Sequence, residues 1–184
     1  MHHKPRIALI GPTSMTWDEI GADVEPDLDR LRRRDVDLTY VLTGAGPRSI
    51  TNDEDERAAA PHVIAAVERC EQHGYDAVIV DCTGDPGVEE ARRRVRIPVV
   101  GAGEALRRSV ADAPPPVVVL SGDDLRGNDT GALLERVRGA GTVALGGTGW
   151  SHLVPLLTGT DRVVLDPLDV ALEQCLAELG RQAG

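Results

Sequence analysis

The sequence predicts an α/β protein built from two parallel-sheet lobes. Strand-type runs alternate with helical patterns, which means parallel strands joined by right-handed crossovers. A loose internal symmetry divides the chain: "VIVDCTGDPG" and "VALGGTGWSH" each end a strand at a small-residue turn. "IPVVGAGEA" and "RVVLDPLDVA" follow them, each a strand leading into a helix. Two such halves facing each other place the two turns across a shared cleft. The chain of 184 residues, 41% of them hydrophobic, is long enough to bury a core in each half.

The strands are expected at Arg6–Ile10, Asp37–Leu42, Ala77–Val80, Pro98–Val100, Val117–Leu120, Thr142–Leu145 and Arg162–Leu165. Residues 53–73 read as mostly helical, with Pro61 starting or kinking the main part. Val63, Val67 and Cys70 share one face of it, and Leu168, Leu172, Cys175 and Leu179 share one face of the last helix. Cys70 and Cys175 are therefore core residues. "DAPPP", residues 112–116, is a stiff connection into the second half.

Cys82 differs from the other thiols in position, although a buried structural cysteine, packing like a small hydrophobe, is the other reading of it. It lies between the strand at Ala77–Val80 and a helix for which Asp85 is a natural N-cap and Pro86 a natural first residue. In open α/β sheets that crevice binds ligands. A helix N-terminus there makes the thiol more acidic than an ordinary cysteine, opposed by Asp81 if its carboxylate turns inward.

The formal net charge of −10 disfavours nucleic acid and anionic membranes as partners. With 2% aromatic residues and no Phe, base-stacking platforms are lacking. The clusters Arg32–Arg34 and Arg92–Arg94 sit beside acids and face solvent. No run is long enough to span a membrane and no apolar signal core opens the chain, which reads as soluble and cytoplasmic. Three cysteines, an odd count without paired spacing, argue against a disulfide scaffold.

"GPRSITNDEDERAAAP", "CEQHGYDAVIVDCTGDPGVEEAR" and "IPVVGAGEA", a stretch from Gly46 to Ala105, resemble the hydantoin racemase branch of the aspartate/glutamate racemase superfamily. "GPTSMT" is similar to that family's first loop. The resemblance implies two Rossmann-like lobes with pseudo-two-fold symmetry: residues 1–102, a reduced second lobe at 103–167, and a helix at 168–184 free to pack on the first. It implies cofactor-independent, metal-free proton transfer by cysteine next to a carboxylate or carbonyl, in a small acid or cyclic amide. Cys82 is then the thiol of the first lobe. Thr83, Gly84 and Asp85 bind substrate through their backbone, and Thr13, Ser14 and Ser49 line the cleft from two loops.

The chain also departs from the pattern. Where the family has a second cysteine, "LGGTGW" places Gly147, and the second lobe is short. Thr148, Ser151 and His152 stand near that position. His152 is the titrating candidate for catalysis, or else a solvent-facing histidine early in a helix. A lone thiol reaches one face of a carbon acid, so retention or a different reaction is expected over inversion. Three readings stay open: a racemase, a one-thiol decarboxylase, isomerase or lyase, and a non-catalytic binder of a small acid or protein partner. A homo-oligomer is also left open.

Other signals carry less. "VVGAGEAL" is a partial dinucleotide fingerprint, with Leu106 where a third glycine belongs. Walker-type phosphate loops are absent. His2 and His3 read as a tag remnant or chance, and the acid pairs Asp53–Glu54 and Glu89–Glu90 as helix starts.

Overall fold

Four short parallel strands, β1 (Arg6–Gly11), β2 (Asp37–Leu42), β3 (Ala77–Val80) and β4 (Val99–Gly101), form one sheet in the order β2-β1-β3-β4. A second parallel sheet holds β5 (Val117–Leu120), β6 (Thr142–Leu145) and β7 (Val163–Leu165) in sequence order. The computed structural model describes residues 4–126, 129–158 and 162–182, so His2 and His3 lie outside the described residues.

The first sheet is covered on both faces, which is why its strands are continuous apolar runs. Ile7, Leu9, Ala77 and Ile79 face a core shared with α1 (Trp17–Arg32), α4 (Ala102–Ala111) and α8 (Pro167–Gln182). Ala8, Ile10, Val78 and Val80 point the other way, onto Val63, Ala66, Val67 and Cys70 of α2 (Asp53–Gln72) and onto α3 (Val88–Arg94). Around the second sheet, Leu120, Val143 and Leu145 pack with Leu125 of α5 (Gly122–Arg126), Leu133 of α6 (Thr130–Arg136) and Leu157 of α7 (Val154–Leu157). Chain order does not match core membership. Leu168, Leu172 and Cys175 of α8 are buried in the first sheet's core, together with Ala144 from β6.

Two sequence expectations need correcting. Pro61 neither starts α2 nor divides it: the helix runs unbroken from Asp53 to Gln72, behind an Asn52 cap that accepts from Glu54 N (2.9 Å) and Asp55 N (3.0 Å). Pro61 and Arg57 are both exposed, so the carbonyl that the proline leaves unpaired one turn earlier lies on the solvent side.

Asp85, in turn, does not cap α3. That helix begins at Val88, after Gly87 in a left-handed conformation (φ 72°). Asp85 is itself left-handed (φ 52°) and gives its side chain to the neighbouring helix. It accepts the Gly103 N–H at 2.8 Å in the first turn of α4 and pairs with Arg107 at 2.7 Å. The glycines of "VVGAGEAL" serve this turn: a β-carbon at Gly101 would strike the Asp85 carboxylate, and one at Gly103 the Thr83 carbonyl.

Candidate active site

The turn after β3 is built from main-chain bonds that hold Cys82 in place. Asp81 N–H donates to Ile10 O (2.9 Å), Cys82 N–H to Val80 O (2.9 Å) and Asp85 N–H to Cys82 O (3.1 Å). Cys82 opens onto a cleft of about 350 Å³ whose lining includes Thr83, Gly84, Gly122, Gly146 and the start of α2. Thr83 and Gly146 touch across it, Thr83 Oγ1 donating to Gly146 O at 3.4 Å. The turns after β3 and β6 thus meet at one cleft, as the internal symmetry predicts.

From the start of α2 come Asp53 and Glu56, with the cap residue Asn52 just ahead of them. Glu56 lies over Gly84, where any β-carbon would collide with its carboxylate. Burial, and then the charges of Asp53 and Asp85, raise the Glu56 carboxyl above its ordinary value. The lining residues include two carboxylates and no cationic side chain.

The thiol is not acidified. Burial pushes Cys82 up to about 11, helped by the charges of Asp81, Glu56 and Asp85 and opposed by the Gly84 backbone N–H. The expected acid shift fails because α3 starts six residues after Cys82 and has only 7 residues, while three carboxylates stand close. Asp81 does turn inward. Tyr40 Oη donates to its Oδ2 at 2.8 Å, and Oδ1 is shut off from solvent with no hydrogen-bond partner. Burial pushes this carboxyl up to about 6, and the hydrogen bond from Tyr40 holds it from going further.

The other expected site residues are distributed differently. Thr13 and Ser14 brace the loops: Thr43 Oγ1 donates to Thr13 O (2.9 Å) and Ser14 N–H to Pro47 O (3.0 Å). Ser49 is exposed, and none of these three is among the residues lining the Cys82 cleft. Asp85, spent on Gly103 and Arg107, borders a shallower depression with Glu56. Thr148 and His152 line a separate cavity of about 610 Å³ against α1, with Asp27, Arg30, Trp150 and Ser151. His152 is exposed, in a short 3-10 turn (Ser151–Leu153), its ring 6.0 Å from that of Trp150. Gly147 lies between the cleft and this cavity in sequence. A β-carbon there would meet only Trp150, at an ordinary 3.5 Å.

Sequence reasoning missed Glu56, Asp27 and Arg30. An acid at the start of α2 reads as a helix-dipole partner, and nothing in its spacing says that it overhangs Gly84. No group of three or more His, Cys, Asp or Glu among the described residues is placed to hold a metal ion. No helix among them is long and apolar enough to cross a membrane.

Two parallel α/β lobes with a thiol-bearing turn between them define the class. Residues 22–125 match the family model described as Asp/Glu/hydantoin racemase, and the chain belongs to that family. A hydantoin racemase of Paenarthrobacter aurescens is 41% identical over 101 residues, covering 54% of this chain and 42% of that protein. The chain spans less than half the length of the hydantoin racemases it matches. Among solved structures, the allantoin racemase of Klebsiella pneumoniae superposes with TM-score 0.77 at 21% identity, over 97% of this chain and 89% of that one. A mutant arylmalonate decarboxylase does so with TM-score 0.64 at 15% identity, over 96% and 93%. These likenesses show the fold, and the named relatives by sequence are racemases, which are isomerases.

Proposed function

We propose that the protein exchanges the proton on a carbon next to a carbonyl in a small, uncharged cyclic amide, with Cys82 serving one face of that carbon. One observation carries this reading: Cys82 opens onto a cleft that two turns close and two carboxylates, Asp53 and Glu56, border. An anionic substrate would meet repulsion there from Asp53, Glu56 and Asp81, with no lining cation to offset it. A neutral ring with N–H donors finds acceptors in the same carboxylates. Main-chain N–H groups of the Thr83–Gly84 turn are near enough to the thiol to hold the carbonyl oxygen as it gains charge. With its pKa at about 11, Cys82 is mostly a thiol at neutral pH. Its small thiolate fraction takes the ring proton, leaving the C–H electron pair on the ring as an enolate, and the resulting S–H, after exchange with water, returns a proton to the same face. Cofactor independence and the carbon-acid mechanism are part of this proposal.

Enantiopure 5-methylhydantoin in heavy water is the test probe, followed by proton NMR for exchange and by polarimetry for inversion. The protein is expected to exchange the ring proton above the uncatalysed rate, and Cys82→Ser to lower that rate at least 100-fold. No catalysed exchange, or exchange indifferent to Cys82→Ser, would overturn the proposal. A second reading, one-sided protonation after loss of carbon dioxide, is favoured by the glycine at 147. Release of carbon dioxide from phenylmalonate would support it.

A further inference from the structure

We propose that Glu56 sets the substrate preference of the Cys82 cleft, its carboxylate accepting the ring N–H beside the activated carbonyl. The site then reads the cis-amide edge of a ring, and rejects open-chain amides and rings alkylated at that nitrogen. The inference rests on the proton-exchange reading above and names the group that selects the ring.

Glu56 and Cys82 line the same cleft. Glu56 reaches it from the first turns of α2 and lies directly on the main chain of the Cys82 turn: a β-carbon on Gly84 would overlap its Oε1 and Cδ. Gly84 is not among the glycines with positive φ, so its missing side chain serves this close approach rather than the turn itself. The neighbouring polar side chains of the lining are committed elsewhere. Asn52 Oδ1 caps α2, Thr51 Oγ1 donates to Asp55 (2.9 Å), and Thr83 Oγ1 donates to Gly146 O. Asp53 is exposed. Glu56 is half-buried, and its carboxylate has no hydrogen-bond or ion-pair partner among the described residues. Beneath it, the N–H groups of Thr83 and Gly84 donate to no main-chain carbonyl among the described residues. A free acceptor thus rests on a stretch of main chain with donors to give.

That pairing has a shape. A secondary amide in an open chain is trans, with N–H and C=O on opposite sides. A five-membered ring forces the amide cis and brings both groups onto one edge. Only the cis edge gives its N–H to Glu56 and its oxygen to the adjoining main-chain donors at once. In a hydantoin, the carbonyl next to the reacting carbon shares its edge with the N–H at ring nitrogen N3. Glu56 therefore accepts from N3, and the N–H at N1, on the other flank of the reacting carbon, is not read. No proton moves to Glu56; the two hydrogen bonds hold the reacting carbon in register with the thiol.

The test uses the full chain and three probes in heavy water: 5-methylhydantoin, 3,5-dimethylhydantoin and 1,5-dimethylhydantoin. Each exchange rate is divided by that probe's own uncatalysed rate. Methylation at N3 leaves a partly exposed carboxylate facing a methyl group, so the natural protein should disfavour 3,5-dimethylhydantoin about 30-fold in kcat/KM. It should accept 1,5-dimethylhydantoin within about threefold of 5-methylhydantoin. Glu56→Met is expected to lower kcat/KM for 5-methylhydantoin about 30-fold and to abolish the discrimination between the N-methylated probes, whereas Glu56→Gln, which keeps an oxygen acceptor, preserves it. A merely structural role for Glu56 would lower all three probes alike. A natural protein that does not distinguish the two dimethyl probes, or a Glu56→Met variant that still does, would overturn this proposal. With exchange still dependent on Cys82, either result leaves the parent reading standing. Absence of any catalysed exchange in the natural protein would overturn both.

Discussion

The carboxyl of Asp81 binds its proton more tightly in the folded chain than in the unfolded one, at about 6 against an ordinary 3.8. A carboxyl raised in this way weakens the fold as it ionises: stability falls as pH climbs from about 4 through about 6, and the full loss is present above that. A shift of about two units corresponds to about 3 kcal/mol. Asp81→Asn removes the titration but keeps an acceptor for Tyr40. The variant is therefore expected to gain on the natural protein by about 3 kcal/mol between pH 4 and pH 8, read from urea midpoints. A stability difference that does not change with pH would contradict the inward carboxyl. At this scale the sequence was only half readable. The turn chemistry around Cys82 singles out that thiol among three. The sign of its shift was not readable, because the burial that raises it, and the nearby Glu56, come from packing, and only Asp81 and Asp85 are near it in the chain.

At the scale of elements, the turn of residues 82–87 and helix α4 are fitted to each other at Gly103. A methyl group there would run into the Thr83 carbonyl and approach Asp85 Oδ2 to 2.9 Å. Main-chain atoms cannot swing aside as a long side chain would. Gly103→Ala is expected to cost about 2–3 kcal/mol in a urea melt and to slow exchange by displacing the Cys82 turn. Gly180→Ala, on α8 with nothing within 4 Å, is the control and should be neutral or slightly stabilising. The strands were legible because each is an apolar run bounded by turn residues, and every expected run carries a strand within one residue of its bounds. The start of α3 was not. Asp85 has the right residue type for an N-cap, but its hydrogen bond goes to Gly103, 18 residues later, which no local pattern encodes.

For the whole molecule, α1, the β6–α7 connection and α8 converge on Arg30. Its guanidinium lies 3.5 Å from Asp27 and 3.6 Å from Asp166, and also pairs with Asp169; Asp27 and Asp166 are buried at 8% and 2% exposure. Asp166 also accepts from Leu168 N (2.9 Å) and Asp169 N (3.2 Å), fixing the first turn of α8. Arg30→Met leaves those carboxylates facing one another without a cation. A loss of about 3 kcal/mol at pH 7, the low end for a broken buried pair because Arg30 is partly exposed, is the expected result by denaturant melt. The loss should shrink at acid pH, since the freed Asp27, already raised by burial, can then protonate. The placement of α8 also bears on how the chain is made. A ribosome that has released the first sheet has not yet released Leu168, Leu172 and Cys175, which cover Ile7, Leu9 and Ile79 on one face. Until they emerge, the part of that face not covered by α1 and α4 stays open to water and to other chains, and the first lobe to be synthesised is among the last to be sealed.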